Sequence, residues 1–160
     1  MAKVERFEDL VCWQKARELV NMVYEITKTG PLAKDYKLKD QLRSAAVSSM
    51  SNIAEGFARF HKKDFIRFLD ISQSSAAEVR SLMYVVLDQK YLSPDKVKSV
   101  QDKSDECRKS TLALVKHINQ TLNAQPSAVR EPIPAYGNIE ESNFWDFPAE
   151  FINRSTPKYS

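Results

Sequence analysis

The sequence predicts an all-α protein, an antiparallel up-down-up-down four-helix bundle with an irregular C-terminal tail. Apolar residues recur at helical spacing in four successive segments that are joined by only a few residues, and such short connections make successive helices antiparallel neighbours. Only three glycines occur in 160 residues, which suits long helices and disfavours a turn-rich β fold. The chain is 42% apolar and 28% charged, so its composition is that of a globular domain with one core.

The first two helices are bounded by recognisable signals. A helix is predicted from about Phe7 to about Lys28, and the Gly30-Pro31 pair is expected to stop it. A second helix is predicted from Asp35, a suitable N-cap, to about Phe60. Its apolar face includes Leu38, Leu42, Ala45, Ile53 and Phe57.

The third and fourth helices follow the same pattern. The third is predicted to begin at Lys63 or Asp64 and to end near Lys90. Ser93 precedes Pro94, which is the arrangement of an N-cap followed by proline at the first helical position. The fourth helix is therefore predicted from there to about Leu122, and the bundle occupies residues 1–123.

The second helix carries an orderly stripe of small and polar residues. Ala45, Ser49, Asn52 and Gly56 fall on one side of it, and small residues allow another helix to approach closely. Buried polar groups need partners, because an unpaired one costs roughly 1–3 kcal/mol. We therefore expect either a hydrogen-bonded network that fixes helix register or a subunit contact, formed by Asn52, Glu55, Ser75 and Glu78.

The segment 124–160 is a Pro-containing extension with a different composition. Five of the seven prolines lie in it, and no helical periodicity remains. Its aromatic residues stand in acidic surroundings and are more numerous than in a typical disordered linker. They are predicted to dock onto the bundle or onto a groove of a partner, with plain disorder as the alternative. The candidate docking residues are Phe144, Trp145, Phe147 and Phe151.

Positive charge is concentrated in the bundle. Residues 1–123 hold 21 Lys and Arg against 16 Asp and Glu, a net charge of +5, whereas residues 124–160 hold 3 against 5, a net charge of −2. Basic residues interleave with phenylalanines at the junction of the second and third helices, at Arg59, Lys62, Lys63 and Arg67. These residues are either a nucleic-acid contact or an ordinary solvated turn over a phenylalanine core. A second group, with the same alternatives, lies at the other end of the second helix and comprises Lys37, Lys39 and Arg43.

Other classes of function find little support. A di-metal centre in a bundle requires Glu-x-x-His pairs, and neither His61 nor His117 follows a glutamate at that spacing. Neither a P-loop nor a G-x-G-x-x-G motif is present, and no catalytic group can be assembled from local motifs. We therefore expect a protein that is not an enzyme, with no cofactor and no metal.

The cysteines and the hydropathy of the sequence indicate the cellular compartment of the protein. Cys12 and Cys107 are far apart and lack C-x-x-C spacing, which favours two reduced, partly buried thiols. No apolar run approaches the length of a membrane span, and the charged N-terminus is unlike a signal peptide. These features predict a cytoplasmic protein without a membrane partner.

Several ordered motifs resemble a bacterial four-helix-bundle family, the proteins first found encoded by intervening sequences in large-subunit ribosomal RNA genes. The resemblance covers residues 7–92 well and the fourth helix loosely. The matching motifs are FEDLVCWQKA at 7–16, QLRSAAVSSMSNIAEG at 41–56, DFIRFLDIS at 64–72 and SSAAEV at 74–79. Two departures are Ser44, where members usually have a second basic residue, and the 37 residues from 124 to 160.

The resemblance implies a homo-oligomer, often a pentameric ring of bundles. A more distant branch contains the accessory protein of diversity-generating retroelements, a basic pentamer that binds a reverse transcriptase and nucleic acid. The leading hypothesis is therefore a non-enzymatic, homo-oligomeric adaptor that associates with RNA, DNA or a nucleoprotein. The alternative is a protein-interaction module whose tail binds a dedicated partner, such as a reverse transcriptase.

Overall fold

The computed structural model describes residues 1–124 and 145–157, and within them four long helices form an antiparallel bundle. A strand β1 and a 3₁₀ turn precede the first helix, and a strand β2 and a second 3₁₀ turn lie in the tail. The predicted bundle is confirmed. The elements in chain order are β1 Ala2–Val4, the turn Phe7–Asp9, α1 Val11–Ile26, α2 Gly30–Lys34, α3 Tyr36–Phe57, α4 Lys62–Asp88, α5 Pro94–Asn123, β2 Trp145–Phe147 and the turn Ala149–Phe151.

The long helices pack in a closed ring in which α1 contacts α3 and α5, and α4 contacts the same two helices. One end of the bundle therefore contains the start of α1 and the end of α3, and the other contains the end of α1 and the start of α3. None of the helices in the described ranges is both long and apolar enough to cross a membrane.

The capping predictions at two helix starts are confirmed. The Asp35 carboxylate accepts a hydrogen bond from the Leu38 amide at 3.2 Å, and Ser93 Oγ accepts one from the Lys96 amide at 3.4 Å. Each bond satisfies one of the amides that a helix start leaves without an intrahelical partner.

Two predicted boundaries were wrong. The first helix begins at Val11 instead of Phe7, and the second ends at Phe57, because Phe60 adopts a left-handed φ of 58°. Gly30 and Pro31 do not simply stop a helix, because they begin the short helix α2. Gly30 has a φ of 75°, which glycine adopts without strain, and Pro31 follows in the first turn.

The predicted close approach between helices is found between α3 and α4. A Cβ atom built on Gly56 would lie 2.5 Å from Phe68 Cβ and 2.9 Å from Phe65 Cδ2. Ser72 Oγ donates to the Ser49 carbonyl oxygen across the same contact at 2.6 Å. Small residues on α3 therefore set the distance between these two helices.

The contact between α1 and α5 combines charged and apolar groups. Lys103 pairs with Glu18 at 2.6 Å and with Glu106 at 2.7 Å, and Glu106 also pairs with Lys15. Desolvation lowers the pKa of Lys103, but the hydrogen bonds to Glu106 and Glu18 outweigh it and leave that pKa above its usual value. The Lys103–Glu18 and Lys15–Glu106 pairs bridge α1 and α5, and the Lys103–Glu106 pair links them within α5.

The described part of the tail packs against the bundle of its own chain. Strand β2 pairs antiparallel with β1, so that Val4 lies opposite Trp145 and Ala2 opposite Phe147. The Asn153 amide donates to the Asp9 carbonyl oxygen at 2.7 Å. Both terminal segments thus meet at the end of the bundle where α1 begins. Docking of the tail onto the bundle was one of the predicted alternatives, whereas its pairing with the N-terminal strand was not predicted.

Candidate nucleic-acid interface

The α3–α4 junction places its cations at the same end of the bundle as the docked tail. Arg59 lies two residues after the end of α3. Lys62 and Lys63 lie in the first turn of α4, and Arg67 lies one turn later. Lys63 and Arg67 are exposed, the Arg59 side chain is 52% exposed, and Lys62 is half-buried. The structure therefore brings these four predicted residues together.

Opposite charge compensates only part of this junction. Arg59 pairs with Glu55 at 3.3 Å, and its guanidinium lies 5.3 Å from the centroid of the Phe68 ring. The side chains of Lys62, Lys63 and Arg67 form no ion pair or hydrogen bond with any residue in 1–124 or 145–157. The acidic residue in the first turn of α4 is Asp64.

The phenylalanines of the junction belong largely to the core. Phe57 is 6% exposed and Phe65 is fully buried, with their ring centroids 6.1 Å apart in an edge-to-face contact. Phe60 and Phe68 are half-buried. Phe57 and Phe65 are therefore not available for stacking of bases, and a nucleic-acid contact here depends mainly on the cations.

The second basic group lies at the far end of α3. Lys37 is 22 residues before Arg59, which is about 33 Å at 1.5 Å per residue. Arg43 donates to Thr27 Oγ1 at 2.8 Å and to the Thr27 carbonyl oxygen at 3.3 Å, so it caps the end of α1. Lys39 donates to the Ala33 carbonyl oxygen at 3.3 Å. Of this group, Lys37 is the exposed member without such a contact among the described residues.

The four residues predicted to form a polar network do not all meet. Asn52 Nδ2 donates to Ser48 Oγ at 3.0 Å, and Ser48 Oγ lies 2.9 Å from Ser75 Oγ. Ser48 therefore joins Asn52 to Ser75 between α3 and α4. Its bridging role was not predicted, because a serine beside the stripe gives no sign of which helix it contacts.

The two glutamates lie outside this network and do not meet within the chain. The alternative, a subunit contact formed by these residues, stays a prediction. Glu55 pairs with Arg59, whereas Glu78 accepts a hydrogen bond from Gln41 Nε2 at 3.3 Å. Gln41 and Glu55 are 14 residues apart on α3, about 21 Å along its axis. Both carboxylates are exposed, so burial imposes no requirement for a shared partner.

The aromatic side chains of the described part of the tail pack against the bundle. Trp145 and Phe147 are 5% and 3% exposed, and Trp145 Nε1 donates to the Phe57 carbonyl oxygen at 3.2 Å at the end of α3. The ring centroids of Phe65 and Trp145 are 5.0 Å apart. Phe151 lies 5.4 Å from the His117 ring, and the fourth candidate, Phe144, lies outside the described residues.

His117 takes part in this contact, which the sequence did not reveal. Its ring also lies 6.1 Å from Phe147, and its buried Nε2 has no hydrogen-bond partner among the described residues. No cluster of His, Cys, Asp or Glu within residues 1–124 and 145–157 could hold a metal ion.

The fold defines an antiparallel helical-bundle protein. A sequence model described as 23S rRNA-intervening sequence protein matches residues 8–113, and the chain belongs to that family. The resemblance inferred from the motifs is thereby confirmed. No curated protein matches the chain.

A crystal structure from Bacteroides thetaiotaomicron shows the same fold. It is described as a protein of unknown function from the S23 ribosomal protein family, and it is 20% identical in sequence with a TM-score of 0.58. The similarity covers 66% of this chain and 99% of that one. The shared part is therefore smaller than the whole of the present chain.

Proposed function

We propose that this protein is a non-enzymatic, homo-oligomeric adaptor that binds RNA, DNA or a nucleoprotein through the α3–α4 junction. The observation that carries the proposal is the charge arrangement at the start of α4. Lys62 and Lys63 stand in the first turn and Arg67 in the next, and none of the three has an acidic partner among the described residues.

Cations at this position are unfavourable for the isolated helix. The N-terminus of a helix carries a partial positive charge, which repels lysine and attracts anions. The N-cap residue, His61, provides no capping hydrogen bond from its side chain. A phosphate would therefore gain from both the free amides of the first turn and the lysine side chains.

Assembly into an oligomer would multiply this charge. The outer face of α3 and α4 combines exposed small residues with Ile71 and Val85, which are 46% and 41% exposed. Such a face suits packing against a second copy. The exposed small residues on it are Ser44, Ser51, Ser74 and Ser81. In a pentameric ring, five junctions would form a field that concentrates phosphates near one another.

Neutralising the junction tests the proposal. In R59Q/K62Q/K63Q we expect weaker binding to a short structured RNA, because three phosphate contacts are lost. The slope of log Kd against log salt should fall by about 2 to 3, at 0.7–0.9 per contact. The measurement is fluorescence anisotropy of labelled RNA at several salt concentrations.

The matched control removes three positive charges from the other end of the bundle in K90Q/K96Q/K98Q. These lysines are exposed and lie where α4 ends and α5 begins, far from the junction, so the control separates a local contact from net charge. Equal slopes for the two variants would refute binding at the junction. Absence of RNA and DNA binding by the unmodified protein at low salt would refute the proposed function.

The alternative function, a tail that binds a reverse transcriptase or another protein, has less support. Trp145 and Phe147 would have to leave the bundle before a partner could reach them. Deletion of residues 124–160 should abolish such an interaction, and an unchanged pull-down would exclude it.

A further inference from the structure

A second cationic feature lies beside the start of α1, on another side of the same end of the bundle. A pocket of about 450 Å³ opens there between the N-terminal segment, α1, α3 and the end of the described tail. Its volume is within the range of small-ligand sites. Its walls combine basic, aromatic and hydroxyl groups, among them Arg6, Phe7, Trp13, Arg17, Met50 and Thr156.

Arg17 is the second basic residue of this pocket. It is half-buried, and its guanidinium lies 5.8 Å from the centroid of the Trp13 ring. Its side chain makes no hydrogen bond or ion pair with any residue of the described ranges. The cation–π contact therefore orients five N–H donors that have no protein acceptor among the described residues.

The other cation in the pocket is already balanced. Arg6 lies 3.5 Å from Glu8, and both side chains are at least two-thirds buried. The pocket therefore carries a net charge of +1 from Arg17. Because a guanidinium plane matches the oxygens of a phosphate or carboxylate, an anionic group is the complementary ligand.

The remaining wall suits a planar apolar group. Phe7 and Trp13 pack edge to face with centroids 5.2 Å apart, and Met50 closes the α3 side. Nucleobases pack against aromatic rings, arginine planes and apolar side chains. The pocket therefore offers an arginine for the phosphate of a nucleotide and an apolar wall for its base.

The tail completes the rim of the pocket. Thr156 Oγ1 accepts a hydrogen bond from Gln14 Nε2 at 2.6 Å and donates one to the Glu8 carbonyl oxygen at 3.1 Å. Gln14 Nε2 also reaches the carbonyl oxygens of Glu8 and Asn153. These bonds hold the tail where it forms one side of the pocket.

We infer that this pocket binds one unpaired nucleotide of a nucleic-acid strand, with its phosphate on Arg17 and its base against Phe7, Trp13 and Met50. The inference rests on the proposed nucleic-acid function and adds a site to it. Met50 is nine residues before Arg59 on α3, about 14 Å along the axis, so one strand can contact both the pocket and the junction.

The test compares an RNA hairpin with a blunt end and the same hairpin with a four-nucleotide single-stranded overhang. For the unmodified protein we expect the overhang to tighten Kd about tenfold. R17Q should lose that gain and bind both RNAs as the unmodified protein binds the blunt hairpin. R17K should keep only part of the gain, because it retains the charge and lacks the planar fork.

K109Q is the control for loss of one positive charge, and it should keep the full gain from the overhang. Adenosine 5′-monophosphate is used as a competitor to distinguish binding of a strand from binding of a free nucleotide. We expect it to remove the affinity gained from the overhang only at a much higher concentration than a free strand with the overhang sequence. Tight binding of the mononucleotide with no gain from the overhang would overturn the inference.

The two proposals fail in different ways. If R17Q and the unmodified protein bind the blunt hairpin equally and the overhang adds no affinity, the inference about the pocket is overturned. The proposal that the junction binds nucleic acid is then unaffected. Loss of all RNA binding by the unmodified protein would overturn both. Thermal unfolding of R17Q verifies that its bundle is intact.

Discussion

Gly56 is the residue at which α3 and α4 come closest. It lies directly against Phe65 and Phe68, and no side chain larger than hydrogen fits there without movement of α4. The sequence indicated a close approach at this position, because Gly56 continues the small-residue stripe of α3.

The substitution Gly56→Ala should destabilise the bundle. Alanine favours a helix by about 1 kcal/mol over glycine, but overpacking against a helix backbone costs typically 1–3 kcal/mol, and here the clash is with a Cβ atom. We expect a lower free energy of unfolding in urea. Gln120→Ala, on the exposed side of α5, is the control and should be nearly neutral. A G56A protein as stable as the unmodified one would contradict the packing described.

Two buried thiols make stability depend on alkaline pH. Burial raises the pKa of Cys12 and of Cys107 from near 9 to about 12. Below pH 9 the thiols are neutral in both states, and their contribution to stability is complete. Between pH 9 and 12 the unfolded chain releases protons that the folded chain keeps, so stability falls by about 1.4 kcal/mol per pH unit for each thiol.

We therefore expect the stability difference between the unmodified protein and C12A/C107A to shrink as pH rises from 8 to 10. Urea unfolding at both pH values measures this difference in the free energy of unfolding. Lysines and tyrosines that titrate in the same range are present in both proteins, so their effect cancels in the difference. A difference that is independent of pH would show that the thiols are accessible to solvent.

At the scale of elements, the ribbon of β1 and β2 attaches both terminal segments to the bundle. Its contact with the bundle depends on Trp145, which packs on Phe57 and Phe65 and donates to the end of α3. The ribbon has only two strands, and such a ribbon is marginal without packing of this kind.

Trp145→Ala should release the ribbon while the bundle remains folded. Truncation of a buried tryptophan typically costs 3–5 kcal/mol, which exceeds what a short ribbon can supply. Hydrogen exchange should become fast at Ala2–Val4 and in residues 145–157 and stay slow in the middle of α3 and α4. Asp146→Ala, on the exposed side of β2, is the control. Faster exchange throughout the helices would mean that the tail belongs to the same cooperative unit.

The elements differ in how far the sequence predicted them. The long helices followed from apolar spacing, and the starts of α3 and α5 from Asp35 and Ser93. The short helix α2 was missed because five residues show no period. The ribbon was missed because its strands have three residues each and lie about 140 residues apart, so that nothing local indicates their pairing.

The candidate site was predicted only in part for a related reason. A run of basic residues looks the same whether its members are solvated or bonded. Only the fold shows that Arg43 caps α1, while the side chains of Lys62 and Lys63 have no partner in the part of the chain that the structure describes. The pocket beside Arg17 could not be predicted, since its walls come from four separate segments.

At the scale of the whole molecule, the basic groups are divided between two ends. The junction cations lie about 33 Å from Lys37 along α3, and the Arg17 pocket opens at the junction end. Membership of the 23S rRNA-intervening sequence family gives the fold and leaves the ligand to experiment. We propose above that an oligomer of this chain presents its junction cations to nucleic acid.

Light scattering coupled to size-exclusion chromatography, on the full chain with and without a short structured RNA at low salt, tests that claim most directly. We expect an oligomer that gains the mass of bound RNA and loses that mass as salt rises. The R59Q/K62Q/K63Q variant should form the oligomer without gaining the mass of RNA. A monomer, or an oligomer whose mass is unchanged by RNA and by DNA at low salt, would contradict it.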